Sequence, residues 1–288
     1  MRASTWGWLP WLAPVAALGL VMMALANSAS VSSRSYAMLL FWAGVLIIAL
    51  PVALRMLNPE ITRQEALGLL ILVGEIFFMG TISGTLAGHT GYDELLHWRT
   101  ASDILTTGHL FTPNSLLPVS PYYPGLEIVT TTVAGLTGLS IYPAGFVVVF
   151  IARLIMLVSL FSIFLNISGS VRAAALGGLI YMGSTTFFFF DSQFAYESLS
   201  LPLAALVLWM ALKLSRGPGD QRFGWSASIL LVEIMVAITH HVTSFFLAGI
   251  LLLWTALATL RRWGGRGDFI PYRVSNAMLI IVLAWLLL

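Results

Sequence analysis

The sequence predicts an all-α polytopic membrane protein with about nine hydrophobic spans, the last of them incomplete. Of its 288 residues, 59% are hydrophobic and only 9% are charged, whereas soluble globular proteins carry about 25% charged residues. Runs of roughly 20 apolar residues, the length a helix needs to cross a bilayer, recur along the chain. No stretch between them is long enough for a soluble domain, so we interpret residues 1–288 as a single transmembrane domain.

Nine apolar runs are the predicted spans. They lie at about residues 8–26, 36–54, 66–86, 143–165, 172–190, 195–214, 225–241, 243–260 and 274–288. The first run lacks a convincing signal-peptide cleavage site and is expected to remain as a span. Residues 1–60 therefore contribute an N-terminal pair of spans that precedes the other seven. The last run reaches Leu288 after about fifteen residues, which predicts a fragment or a chain that ends at its final span.

The composition also narrows the partners and the chemistry. The chain contains no cysteine, which excludes disulfide bonds, thiolate chemistry and cysteine-based metal sites. Its formal net charge of +2 comes from basic residues scattered over short loops, without the patch that nucleic-acid binding requires. We therefore expect membrane lipids, and no nucleic acid, among the partners.

The positions of arginine and lysine predict the orientation, because cytoplasmic loops of membrane proteins are enriched in these residues. Three predicted loops carry most of them and should lie inside. Their basic residues are Arg55 and Arg63; Lys213, Arg216 and Arg222; and Arg261, Arg262, Arg266 and Arg273. The loop 87–142 and the turns around residues 191–197 and 240–241 are then expected on the extracytoplasmic face of the plasma membrane.

Residues 124–139 need a separate interpretation, because an additional crossing there would invert every later loop. The segment is about sixteen residues long, rich in threonine and glycine, and contains Glu127. These features favour an interfacial or re-entrant helix over a span. We therefore predict outer-face interfacial helices between the third and fourth spans.

The segment 90–100, TGYDELLHWRT, concentrates ionisable side chains in a mostly apolar chain. In a helix, His97 lies four residues after Asp93 and three after Glu94, so its imidazole can meet both carboxylates. Such a face suits a general base or, with Asp93, His97 and His240 as ligands, a divalent cation. The alternative interpretation is an ordinary solvated amphipathic helix.

Two further polar segments are expected on the same face. Tyr122 and Tyr123 stand between prolines in SPYYPGLE, either as a rigid aromatic turn or as a pocket wall that a sugar ring can contact. In FFFFDSQFAYES, Asp191 either marks a helix end or, with Tyr196 and Glu197, faces an outer cavity.

The hairpin tip THHVTS carries His240 and His241. Adjacent histidines point to different faces of a helix, about 100° apart, so the two are not expected to bind one ion together. With an acid such as Asp93 nearby, one of them suits a cation or a phosphate. The alternative is that both are simply polar residues of a hairpin.

Glu75, Arg153 and Glu233 lie deep inside predicted spans. Charges within a membrane are unfavourable and are usually paired or functional. The first interpretation is a structural pair between Arg153 and one of the two glutamates. The alternatives are that Arg153 neutralises a lipid-linked phosphate from an outer cavity, or that the three charges form a relay in a transporter.

The order of several motifs resembles a known family. The acidic motif GYDELLHW, the tyrosine–proline run, the segment GLTGLS, the arginine-bearing span FIARLIM and the later turn with Asp191 follow one another. This order resembles the GT-C superfamily of integral-membrane glycosyltransferases, which includes the protein O-mannosyltransferases and the lipid A aminoarabinose transferases. The resemblance covers about residues 66–260.

The resemblance implies transfer of a sugar, with inversion, from a polyprenyl-phosphate donor to a lipid, glycan or protein acceptor on the outer face. It implies that Asp93, with Glu94 in reserve, is the general base that deprotonates the acceptor. The leaving phosphate would then meet the few outer cations. These are Arg99, Arg153 and the protonated forms of His240 and His241.

A transporter or flippase-like protein is the alternative function. It would use Glu75, Arg153 and Glu233 near the middle of the membrane. A transferase is instead expected to gather Asp93, His97, Asp191, His240 and His241 around one outward cavity.

Overall fold

The computed structural model describes residues 6–83, 92–188, 190–216, 222–263 and 271–287. Within these ranges the chain forms twelve α-helices and two short 3₁₀ turns, with no β-strand. The helices are α1 Leu9–Val31, α2 Ala37–Met56, α3 Arg63–Ile82, α4 Tyr92–Thr107, α5 Gly125–Thr137, α6 Ile141–Ser168, α7 Val171–Met182, α8 Thr185–Phe188, α9 Tyr196–Arg216, α10 Arg222–Thr239, α11 His241–Trp263 and α12 Tyr272–Leu286.

Seven of the described helices are long and apolar enough to cross a bilayer, namely α1, α2, α3, α6, α9, α10 and α11. The predicted multi-pass, all-α class is therefore confirmed, whereas the count of nine spans is not. Helix α12, which covers the last predicted span, has 15 residues.

The predicted span 172–190 is interrupted between α7 and α8. The backbone N–H of Gly183 closes α7 on the carbonyls of Leu179 and Ile180, and the Ser184 hydroxyl accepts the N–H of Phe187 to begin the next turn. Hydropathy does not detect this break, because the interrupted segment remains apolar on both sides.

The segment 124–139 forms the short helix α5 of 13 residues. At 1.5 Å per residue it extends about 20 Å, less than the roughly 30 Å of a bilayer core. It is thus too short to cross, as expected, while its location at the membrane interface stays a prediction.

The chain divides into two compact units. Unit 1 comprises residues 1–90 and 157–193, and unit 2 comprises residues 91–156 and 194–288. The boundary falls inside α6, so one continuous helix belongs to both.

Unit 1 is built on close helix packing and one buried ion pair. Gly19 of α1 and Gly44 of α2 face each other so closely that a Cβ on Gly19 would lie 2.8 Å from the Gly44 carbonyl oxygen. Such small residues let membrane helices approach each other. The buried Glu65 carboxylate accepts two hydrogen bonds from the Arg55 guanidinium, at 2.6 and 2.7 Å, and one from the Trp8 backbone N–H.

Unit 2 packs the short helices α4 and α5 beside α9, α10, α11 and α12. The side-chain amide of Asn114 donates to the Leu96 carbonyl and to the Thr100 hydroxyl, which fastens the α4–α5 connection onto α4. Gly125, the first residue of α5, is in such close contact with Thr239 that a Cβ would collide with the threonine side chain. This glycine allows the start of α5 to lie against the end of α10.

Candidate functional site

Four parts of unit 2 bring imidazole and carboxylate groups together at one end of its long helices. Helix α4 supplies one histidine, α5 one glutamate, α9 a tyrosine and a glutamate, and the α10–α11 junction two histidines. We call this group the imidazole cluster; its members are His97, Glu127, Tyr196, Glu197, His240 and His241.

The shortest contact in the cluster joins His97 to Glu127. The Nδ1 atom of His97 lies 2.7 Å from Oε1 of Glu127, and both side chains are buried. A carboxylate oxygen accepts hydrogen bonds, so Nδ1 of His97 is the donor in this contact. Glu127 therefore fixes the tautomer and the orientation of the ring, as carboxylates do for catalytic histidines.

The expected pairing of His97 with Asp93 and Glu94 is wrong. Glu94 is also buried, but its Oε1 accepts the backbone N–H of Phe194 at 3.0 Å. Asp93 is exposed on the first turn of α4, where its charge acts on Tyr196 and Glu197. The three residues do lie on one helix at the expected spacing. His97 nevertheless points inward, because α5 provides the buried carboxylate of Glu127 on that side.

Tyr196 lies between two imidazoles. Its ring meets the edge of His97 at a centroid distance of 4.4 Å and an interplanar angle of 76°. On its other side it stacks on His240, again at 4.4 Å, at an angle of 20°. The tyrosine thereby links the α4–α5 pair to the α10–α11 junction through rigid ring contacts.

A chain of hydroxyl groups sets the proton positions on His240. Ser200 donates to the Thr243 hydroxyl at 3.0 Å, and Thr243 lies 2.8 Å from Nδ1 of His240. Among the described residues Thr243 has no other acceptor for its own proton, so it donates to Nδ1. Nε2 of His240 then carries the hydrogen, and it lies 3.6 Å from Oε1 of Glu197.

The electrostatic surroundings keep His240 neutral. Burial, together with the positive charges that His241 and His97 can carry, lowers the pKa of His240 to about 4. A histidine with this pKa is uncharged near pH 7. In this form the Nε2–H group of His240 is a neutral hydrogen-bond donor, and the binding of a phosphate by this residue stays a prediction.

The two tyrosines of SPYYPGLE point in different directions. Tyr123 is buried, its ring centroid lies 4.9 Å from that of His241, and burial raises its pKa. Tyr122 is 60% exposed, and its backbone carbonyl accepts the indole N–H of Trp285 at 3.0 Å.

An apolar groove of about 700 Å³ lies beside these tyrosines. It is lined by Phe111, Val119, Tyr122, Tyr123, Trp285 and Leu286. Tyr123 lines this groove and its ring also contacts His241, so one side chain links the groove to the imidazole cluster.

Two of the remaining predicted site residues, Arg99 and Asp191, have polar partners outside the imidazole cluster. Arg99 is exposed and donates through Nε to both carboxylate oxygens of Asp103 at 3.0 Å, so its charge is shared. Asp191 belongs to unit 1, where its buried carboxylate accepts the Tyr181 hydroxyl at 3.3 Å.

The three predicted intramembrane charges are all buried side chains. Glu75 lies in unit 1, whereas Arg153 and Glu233 lie in unit 2. Neither carboxylate oxygen of Glu233 has a hydrogen-bond partner among the described residues. The predicted pair between Arg153 and Glu233 is thus not formed.

The proposed metal ligands Asp93, His97 and His240 do not form a ready metal site. Within the described ranges, no three histidine, aspartate or glutamate residues are arranged to hold a metal ion. His97 uses Nδ1 for Glu127, and His240 uses Nδ1 for Thr243. A divalent cation stays a prediction from the sequence.

Glu127 is the site residue that the sequence pattern did not identify. It stands in the first turn of a short helix, 30 residues after the histidine it binds. The available signal was the single charged residue of an otherwise uncharged helix, because a carboxylate requires a partner when it is buried.

Comparisons with known proteins do not identify the chain. It matches no protein-family model, no curated protein and no solved structure.

Proposed function

We propose that this protein is a membrane glycosyltransferase that moves a sugar from a polyprenyl-phosphate donor to an acceptor on the extracytoplasmic face of the plasma membrane. One observation carries the proposal, namely the imidazole cluster at one end of apolar helices, linked by the ring of Tyr123 to a neighbouring apolar groove. A lipid-linked sugar has this same combination of a polar head and a long apolar chain.

Asp93 is the general base of this proposal. Its carboxylate is exposed and so accessible to an acceptor hydroxyl. In the reaction, the acceptor oxygen forms a bond to the anomeric carbon, the bond from that carbon to the phosphate oxygen breaks, and the hydroxyl proton passes to Asp93. Attack on the face opposite the leaving phosphate inverts the anomeric configuration.

The imidazole cluster supplies the surroundings of this reaction. His97 is held by Glu127, and Tyr196 is held between His97 and His240. The Nε2–H group of His240 is a neutral donor that a phosphate oxygen can use. Because the surrounding groups are already fixed, little reorganisation is needed when charge develops on the phosphate.

A transfer assay tests the proposal. Purified protein in liposomes is given a series of polyprenyl-phosphate sugars, and release of the lipid phosphate and transfer of the sugar are both measured. We expect turnover of at least one donor, with an inverted product. No turnover of any donor, in protein shown to be folded by its helical circular dichroism, would contradict the proposal.

A transporter is the second candidate function, favoured by the buried carboxylate of Glu233. This group lies within α10, and no described residue forms a hydrogen bond with it. Uptake of a solute into liposomes that is lost on Glu233→Gln, together with the absence of sugar transfer, would favour the transporter.

A further inference from the structure

A second polar pocket lies at the other end of unit 2. It has a volume of about 250 Å³ and is lined by residues that include Leu214, Arg222, Ser226, Tyr272 and Arg273. Helix α9 begins at the imidazole cluster and reaches this pocket near its last turn, whereas α10 begins at the pocket and ends beside His240. About 27 Å of helix therefore separates the two sites along α10.

The described residues that line the pocket are basic or uncharged. Both of its ionisable lining groups, apart from the tyrosine, are arginines, and none of its described lining residues is acidic. Arg273 donates through Nε to the Tyr272 hydroxyl at 3.1 Å, and its guanidinium carbon lies 5.8 Å from the centre of that ring. These contacts leave the terminal nitrogens of Arg273 available to an acceptor.

Arg222 is exposed and lines the same pocket. Among the described residues, none forms a hydrogen bond or ion pair with its guanidinium. The hydroxyl groups of Ser226 and Tyr272 lie in the same pocket. An oxyanion placed there would therefore meet two cations and two hydroxyl groups.

The backbone adds to this positive potential. Helices α10 and α12 both begin at the pocket, and neither has an acidic residue in its first turn. At the start of α12, Pro271 provides no side-chain hydrogen bond to the free N–H groups. The positive ends of two helix dipoles thus reinforce the two arginines.

We propose that this pocket binds the phosphate of an anionic phospholipid. Helices α9 and α10 are long and apolar enough to cross a membrane, so their ends lie at the depth of the lipid headgroups. Tyr272 is half-exposed, as is typical of aromatic residues at this depth. The planar guanidinium groups match the geometry of phosphate oxygens.

Lipid binding to the purified protein tests this site. Delipidated protein is titrated with phosphatidylglycerol or with phosphatidylcholine of the same acyl chains, and bound lipids are counted by native mass spectrometry. We expect tighter binding of phosphatidylglycerol, and a roughly fivefold loss of this preference for each arginine removed. The variants are Arg222→Gln, Arg273→Gln and the double substitution. Only the double variant should bind both lipids alike.

A matched control separates this site from general surface charge. Arg63 is an exposed arginine at the start of α3 in unit 1, and Arg63→Gln should keep the full preference. Equal binding of both lipids by the unmodified protein, or an undiminished preference in the double variant, would overturn the proposal. Inorganic phosphate is added in a separate arm, and binding of phosphate without any preference for phosphatidylglycerol would assign the pocket to a soluble anion instead.

The proposal remains testable if the double variant does not fold. The preference of the unmodified protein for phosphatidylglycerol should fall as sodium chloride is raised, because salt screens partly exposed charges. An unchanged preference at 1 M salt would show that the arginine charges are not responsible.

Discussion

Nδ1 of His97 lies 2.7 Å from Oε1 of Glu127, although the two residues stand 30 positions apart and on different helices. Both side chains are buried, so their hydrogen bond joins α4 to α5 in surroundings of low polarity. This contact, together with the rings of Tyr196 and His240, determines which atoms of the imidazole cluster can donate or accept a proton.

Substitution Glu127→Gln should lower the free energy of unfolding by about 1–3 kcal/mol, because an amide replaces the carboxyl group that accepts a buried hydrogen bond from His97. Thermal unfolding in detergent measures this change. Glu60→Gln, which alters an exposed glutamate in unit 1, should leave the midpoint unchanged. An identical midpoint for Glu127→Gln and the unmodified protein would show that the bond does not stabilise unit 2.

A double-mutant cycle with His97→Asn separates the pair from its surroundings. If His97 and Glu127 act through their mutual hydrogen bond, the effects of the two substitutions should differ from a simple sum by about 0.5–3 kcal/mol. Additive effects would mean that each residue stabilises the protein through other contacts.

Substitution Asp93→Asn should reduce sugar transfer from a polyprenyl-phosphate donor by roughly 10²–10⁴-fold, the usual contribution of a general base. The side chain is exposed, so expression and thermal stability should not change. Asp103→Asn is the matched control, because it removes another carboxylate from the same helix and breaks only the exposed contact with Arg99. Full activity of Asp93→Asn would exclude Asp93 as the base.

The sequence predicted the long helices well and the contacts of the site poorly, for a physical reason. Apolar runs determine membrane helices through their length, so seven spans were found within a few residues of their observed bounds. The partner of His97 depends instead on how α5 packs against α4, which helical spacing does not contain. The same holds for Tyr196, whose position between two imidazoles combines three distant segments.

Stability should fall on acidification because of His240. An unfolded histidine binds its proton near pH 6.5, whereas the pKa of His240 in the folded protein is about 4. Between these values the unfolded state binds more protons, so the free energy of unfolding decreases as the pH falls from 6.5 towards 4. Above about pH 6.5 the histidine is neutral in both states and no longer lowers the free energy of unfolding.

Unfolding of the His240→Asn variant, followed at several pH values, measures this contribution. The variant should lose less stability than the unmodified protein between pH 6.5 and pH 4. His109→Asn removes an exposed histidine from the loop after α4 and should leave the pH dependence unchanged. Parallel pH profiles for His240→Asn and the unmodified protein would contradict the lowered pKa.

Tyr196→Phe and Tyr196→Leu distinguish the ring of Tyr196 from its hydroxyl group. Phenylalanine keeps both ring contacts, so its midpoint of unfolding should remain close to that of the unmodified protein. Leucine loses the stacking on His240 and the edge contact with His97, and should destabilise the protein by about 1–3 kcal/mol. Equal stability of the two variants would show that the ring contacts contribute nothing measurable.

The membrane orientation can be tested with single cysteines, because the chain has none of its own. Asp93 and Tyr272 are both exposed and lie near opposite ends of unit 2, so Asp93→Cys and Tyr272→Cys form a matched pair. In intact cells, a membrane-impermeant maleimide should label Asp93→Cys, and it should label Tyr272→Cys only after permeabilisation. The reverse pattern would place the imidazole cluster on the cytoplasmic side and the arginine-rich loops outside. It would therefore exclude an extracytoplasmic transferase.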